Sequence, residues 1–154
     1  MRKIIDKGEL LAVKQYMELA AEEAKNSKCK KSKRGVVIVK DGEVISKGHN
    51  MPTLEKYCCL RENIKDNTRI ELCSALHAEE MAILNADREK LKGATMYHIK
   101  TKNGEMKPSG KPSCPTCSKS ILYSGIKEFI LWHDDGVFAY NAEELNQCSI
   151  GYFL

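Results

Sequence analysis

Apolar residues recur at helical spacing near the start of the chain. Between residues 8 and 26, Leu11, Ala12, Tyr16, Leu19, Ala20 and Ala24 form one face of an amphipathic helix. A β-branched run, Val36 to Val39, then predicts a strand. Asp41-Gly42 turns the chain, and Val44-Ile45 resumes it as the second arm of a hairpin. Residues 50–71 are polar and irregular, a long connection of the kind that often carries function. Helical periodicity returns from Ala75 to Ala86. Ala94 to Ile99 has strand character, and residues 101–112 form a polar loop with Asn103-Gly104 as the tip of a small hairpin. Cys114 to Tyr123 is a third helix closed by Gly125, and Glu128 to Trp132 a strand. Asn141 to Gln147 is a short helix with Asn141 as its N-cap, and Ile150 to Leu154 a last strand. The order α-β-β-α-β-α-β-α-β predicts an α/β fold with helices covering a mixed or parallel sheet.

Composition adds bounds. A chain of 154 residues with 42% hydrophobic content fits one domain, residues 1–154, with a buried core. No apolar run reaches the roughly 18 residues of a membrane span. The N-terminal stretch lacks an apolar signal region, so the expected location is the cytoplasm. Seven cysteines, two of them in a CxxC, point there to metal or redox chemistry and not to a disulfide framework. The net charge of +4 suits an anionic small molecule and is too weak to require nucleic acid. A basic run, Lys25 to Arg34, is either a solvated loop or a rim that attracts phosphate.

The chemistry concentrates in two places, His77-Ala78-Glu79 and Cys114-Pro115-Thr116-Cys117. One imidazole and two thiolates make a three-ligand Zn2+ site whose fourth position stays open for water, the arrangement of a catalytic zinc. Pro115 suits the first turn of a helix, and a helix start favours thiolate. Glu79 is placed to carry protons for the water, and burial that raises its pKa would suit that task. A redox reading of the CxxC leaves His77 and Glu79 without a role. Cys58, Cys59 and Cys73, with His49, could supply a second, closed zinc site; reduced thiols are the alternative. His98 and His133 are expected to be structural or exposed.

Several stretches resemble the cytidine and deoxycytidylate deaminase family, with the dCMP deaminase branch nearest: residues 27–50, CLRENI (59–64), ELCSALHAEEMAIL (71–84), LKGATMY (91–97) and CPTCSKSILYSGIKEFIL (114–131). The resemblance implies a three-layer α/β/α fold with a mixed five-stranded central sheet whose last strand is parallel to its neighbour. It implies hydrolytic deamination of a cytosine nucleotide or nucleoside, dCMP to dUMP foremost. It also implies His77, Cys114 and Cys117 as zinc ligands and Glu79 as proton shuttle. Asn50 would bind the sugar, the Ala78 N–H would donate to the pyrimidine carbonyl, and the protein would be a homo-oligomer. Three departures stand out: Met81 replaces a family Asn, Ser113 separates Pro112 from Cys114, and the 101–112 loop is long. Two other functions share these motifs. One is a deaminase of bases in RNA or single-stranded DNA, which needs charge and aromatic stacking that this chain supplies sparsely. The other is a non-catalytic zinc-stabilised interaction protein, in which Glu79 has no role.

Overall fold

The computed structural model describes the whole chain except Glu55, Tyr57, Cys58 and Asn67. Its strands are β1 (Arg2–Lys3), β2 (Lys33–Lys40), β3 (Glu43–His49), β4 (Met51–Pro52), β5 (Ala75–Leu76), β6 (Thr95–Lys102), β7 (Glu105–Lys107), β8 (Glu128–His133) and β9 (Gly136–Asn141). The helices are α1 (Lys7–Ala24), α2 (Ala78–Leu84), α3 (Arg88–Leu91), α4 (Pro115–Tyr123) and α5 (Ala142–Phe153).

The main sheet has seven strands in the order β1-β9-β8-β6-β2-β3, with β7 paired on β6. Its two faces bury different helices. Val37, Val39, Ile99 and Ile130 pack against Val13, Met17 and Ala20 of α1. Val36, Ile38, Met96, Phe129 and Leu131 meet Ala78 and Ala82 of α2, Ile121 of α4 and Leu145 of α5. Period-two alternation along each strand thus divides its apolar side chains between two helical layers. The α/β/α class expected from the sequence holds.

Two details of the sheet differ from expectation. The strand count exceeds five, because short β1, β7 and the hairpin arm β9 join it. The parallel pairing falls between β6 and β8, joined by the crossover through α4, whereas the last strand, β9, runs antiparallel to β8. Asp134-Asp135-Gly136 makes the β8–β9 turn, and Gly136 has φ 135°. That Asp-Gly was a usable hairpin signal. Ile150 to Leu154 is not a strand: α5 runs to Phe153. The helix is launched by a capping box, in which Asn141 accepts from the Glu144 N–H while Glu144 reaches back to the Asn141 N–H. A short apolar run does not separate strand from helix by periodicity.

The Asn103-Gly104 hairpin is present: both residues take positive φ, and β7 folds back on β6 from Lys100 to Lys107. The remainder of the long loop is anchored as well. The Ser109 N–H donates to Trp132 O at 2.7 Å, and His133 Nδ1 bonds Ser109 O at 2.9 Å.

Candidate metal centre and active-site cavity

His77 and Cys114 are the N-cap residues of α2 and α4, and Cys117 lies in the first turn of α4. Pro115 opens α4, where no N–H is needed. The Cys114 sulfur accepts the Cys117 N–H at 3.4 Å, filling one of the bonds a helix start leaves open. The two helix starts meet on the sheet face. His77 Nδ1 is 3.1 Å from Cys117 Sγ and 3.4 Å from Cys114 Sγ, and the two sulfurs are 3.2 Å apart. Among the described residues this is the cluster whose ligand atoms, all within 4.8 Å of one another, could hold a metal ion. Cys114 and Cys73 push the His77 imidazole up to about 11, and Cys114, bonded by the Cys117 thiol, drops to about 5. Two sulfurs sharing one proton, beside one imidazole, form a donor set suited to zinc.

Glu79 lies in the first turn of α2, buried, with Oε1 accepting a hydrogen bond from Ser113 Oγ at 2.9 Å. The raised pKa expected from the sequence does not result, although burial alone pushes its carboxyl up. His98 and His77, with the hydrogen bonds Glu79 receives, outweigh that, and the net shift is downward. His98 is not a bystander: it is buried in β6, lines the same cavity, and places Nε2 4.0 Å from Glu79 Oε1. Sequence spacing gave no hint of this, because the contact joins β6 to α2. The strand period does put His98 on the same face as Met96, beneath α2.

Asn50, just past β3, is a hub. Its Oδ1 accepts from Ser27 Oγ and the Arg34 N–H, each at 2.8 Å, and its Nδ2 donates to Ser32 O at 2.7 Å. One Nδ2 hydrogen remains for a ligand. Ala78 is the first residue of α2, so its N–H has no acceptor within the helix and lines the cavity. Met81, at the family Asn position, accepts the His49 N–H on its sulfur at 3.4 Å.

Cys58 lies outside the described residues, so a second zinc site that includes it is not defined. Of its other expected ligands, Cys73 sets its sulfur 3.5 Å from His77 Nε2, on the ring edge away from Cys114 and Cys117, and His49 pairs with Glu23 at 2.7 Å.

The cavity measures about 570 Å³. The basic run contributes to it directly. Lys31 donates to Arg61 O and Ile64 O and pairs with Asp66 at 3.0 Å, stapling the long connection to the basic run. Lys31, Arg34, Arg61, Lys100 and Lys111 all line the cavity. Burial and the charges of Arg34 and Arg61 push Lys111 down.

Two helix starts on one face of an α/β/α sandwich, offering one His and two Cys beside a buried Glu, define a zinc-deaminase type of fold and site. Residues 12–133 match the model of the cytidine and deoxycytidylate deaminase zinc-binding region, and the chain belongs to that family. It is 35% identical over 121 residues to the deoxycytidylate deaminase of Saccharomyces cerevisiae, covering 75% of this chain and 35% of that one. It is 33% identical over 125 residues to the deoxycytidylate deaminase of Mycobacterium phage D29, covering 75% of this chain and 89% of that one. The chain spans about a third of the length of the yeast relatives, budding and fission, that it matches. Among solved structures, the dCMP deaminase of cyanophage S-TIM5 in apo form superposes with a TM-score of 0.56 at 26% identity, covering 80% of this chain and 82% of that one.

Proposed function

We propose that the protein is a zinc-dependent hydrolase that converts dCMP and water to dUMP and ammonia. One observation carries this reading: a buried carboxylate, Glu79, opens onto the same cavity as His77 and Cys114, whose ligand atoms cluster with that of Cys117. The relatives named above are deoxycytidylate deaminases, which supports the substrate.

Zinc held by His77, Cys114 and Cys117 would supply a Lewis acid that makes water nucleophilic near neutral pH. The chain's own residues do the rest. Glu79 takes one proton from the attacking water as its oxygen bonds C4 and gives that proton to the ring nitrogen N3. It then takes the second proton from the added C4 hydroxyl and delivers it to the amino group, which leaves as ammonia while the C4 carbonyl forms. The Ala78 N–H donates to the pyrimidine carbonyl, and the free Nδ2 hydrogen of Asn50 to the sugar. The cavity's five cationic side chains suit a 5′-phosphate, whose charge would relieve the repulsion that lowers Lys111. A homo-oligomer fits the exposed Leu84 and Tyr123, which line one groove between α2 and α4. The described residues contain no helix long and apolar enough to cross a membrane. Nucleotide metabolism in the cytoplasm suits this reading.

The test is ammonia release by the zinc-loaded protein from dCMP, CMP, deoxycytidine, cytosine and a cytosine-containing single-stranded oligonucleotide. The expected order places dCMP first. Release from the oligonucleotide alone would move the substrate to nucleic acid, and release from none would overturn the enzyme reading.

A further inference from the structure

A carboxylate that shuttles a proton has two oxygens, and a fixed shuttle needs one of them held. Besides its own backbone N–H, two side-chain neighbours of the Glu79 carboxylate approach the same atom. Ser113 Oγ donates to Oε1 at 2.9 Å, and His98 Nε2 stands 4.0 Å from Oε1 on the opposite element. All three side chains are buried, at 4% exposure for Glu79, 6% for Ser113 and 3% for His98. Neither contact engages Oε2.

The His98 ring has a defined polarity. Its Nδ1 is buried with no hydrogen-bond partner among the described residues. An orphaned N–H is costlier and rarer than an orphaned acceptor, so the ring proton belongs on Nε2, directed at Oε1. Burial holds His98 down to about 4, so near neutral pH it offers an N–H dipole and not a cation. The ring is fixed from the side by Phe129, with centroids 6.0 Å apart. Ser113 is held by position: it directly precedes Cys114, the α4 cap, and follows a loop anchored at Ser109.

We infer that Ser113 is a positioning residue that pins Glu79 by Oε1 through its hydrogen bond, with the His98 Nε2 dipole facing the same oxygen from 4.0 Å, and that the pair so assigns proton transfer to Oε2. The inference rests on the deaminase reading, in which Glu79 shuttles the proton. Its geometry is specific to this chain's departure at Ser113, where a hydroxyl stands immediately before the first metal-ligand Cys.

The test joins spectroscopy to kinetics, both on the zinc-loaded protein. Imidazole nitrogen-15 NMR at pH 7 should show His98 neutral with its proton on Nε2. Ser113→Ala should shift the His98 Nε2 resonance, because both groups share Oε1. A proton on Nδ1, or an unmoved resonance in Ser113→Ala, overturns the shared anchor whether or not the protein deaminates dCMP. In turnover, Ser113→Ala should lower kcat for dCMP about tenfold or more with KM within about twofold, roughly the effect of one lost hydrogen bond made to a charged group, and His98→Phe should lower kcat by a smaller factor with KM likewise unchanged. Ser113→Thr should restore most of kcat. Unchanged kcat in both variants at wild-type zinc content, or a loss confined to KM, contradicts the positioning role. Absence of deamination by the wild type would sink the functional reading and leave the spectroscopic result standing.

Discussion

Gly48 of β3 lies directly under Ala78 at the start of α2: a Cβ added at Gly48 would fall 2.3 Å from Ala78 O and 2.5 Å from Ala82 N. No side chain fits there, so the strand and the helix that carries Glu79 touch backbone to backbone. Ser46 locks the same contact by donating to Ala82 O at 2.6 Å.

Gly48→Ala should therefore push α2 off the sheet. Overpacking of this kind costs about 1–3 kcal/mol. Urea unfolding should report that loss, and zinc titration should show weaker binding, because His77 moves with the helix. Wild-type values for both would mean that α2 is not positioned by this contact.

Much of this was legible along the chain. The metal cluster was legible because helix-start chemistry is local: Pro115 at the first turn and the Cys spacing specify α4 without tertiary information. Glu79 followed from its place two residues after His77. Asp-Asp-Gly announces the β8–β9 hairpin, which the apolar pattern alone does not, and Ile150 to Leu154 has an apolar run too short for its period to separate helix from strand. His98 and Ser113 had no local signal. They meet Glu79 only because β6 runs beneath α2 and the loop before Cys114 folds over both.

Asn50 holds three segments together through an amide whose two ends are not interchangeable. Asn50→Asp replaces the Nδ2 donor with an oxygen facing Ser32 O. The expected destabilisation is about 1–3 kcal/mol, the cost of a buried acceptor left without a donor. Thermal or urea unfolding checks it, and an unchanged midpoint would show that Ser32 O finds another donor.

His98 should make stability depend on pH. Its folded pKa of about 4 lies below the ordinary 6.5, so the unfolded chain binds the proton more readily. The associated stability is complete above about 6.5 and falls as pH drops toward 4, by about 3 kcal/mol in all. The charged and titratable groups around the ring are Glu79, Arg34, His77 and Lys111. The difference in unfolding free energy between wild type and His98→Phe, followed from pH 7 to pH 4.5, isolates the histidine. The wild type should lose more stability over that range, and parallel curves would contradict a buried neutral imidazole.

The cationic lining should distinguish nucleotide from nucleoside. Lys111→Ala removes one charge from a cluster that also holds Arg34, Arg61, Lys31 and Lys100. The kcat/KM for dCMP should fall on the order of tenfold, as expected for loss of one charged hydrogen bond, while the value for deoxycytidine stays within about twofold. Equal losses for both substrates would place the phosphate elsewhere.

The central claim, that Glu79 moves protons at a zinc centre it does not help to build, is tested most directly by Glu79→Gln. Zinc content and dCMP turnover should be measured on the same preparation. The account predicts wild-type metal content, near one ion bound by His77, Cys114 and Cys117 per chain, with dUMP formation reduced by about 100-fold or more. A variant that retains turnover, or one that loses its zinc, would contradict it.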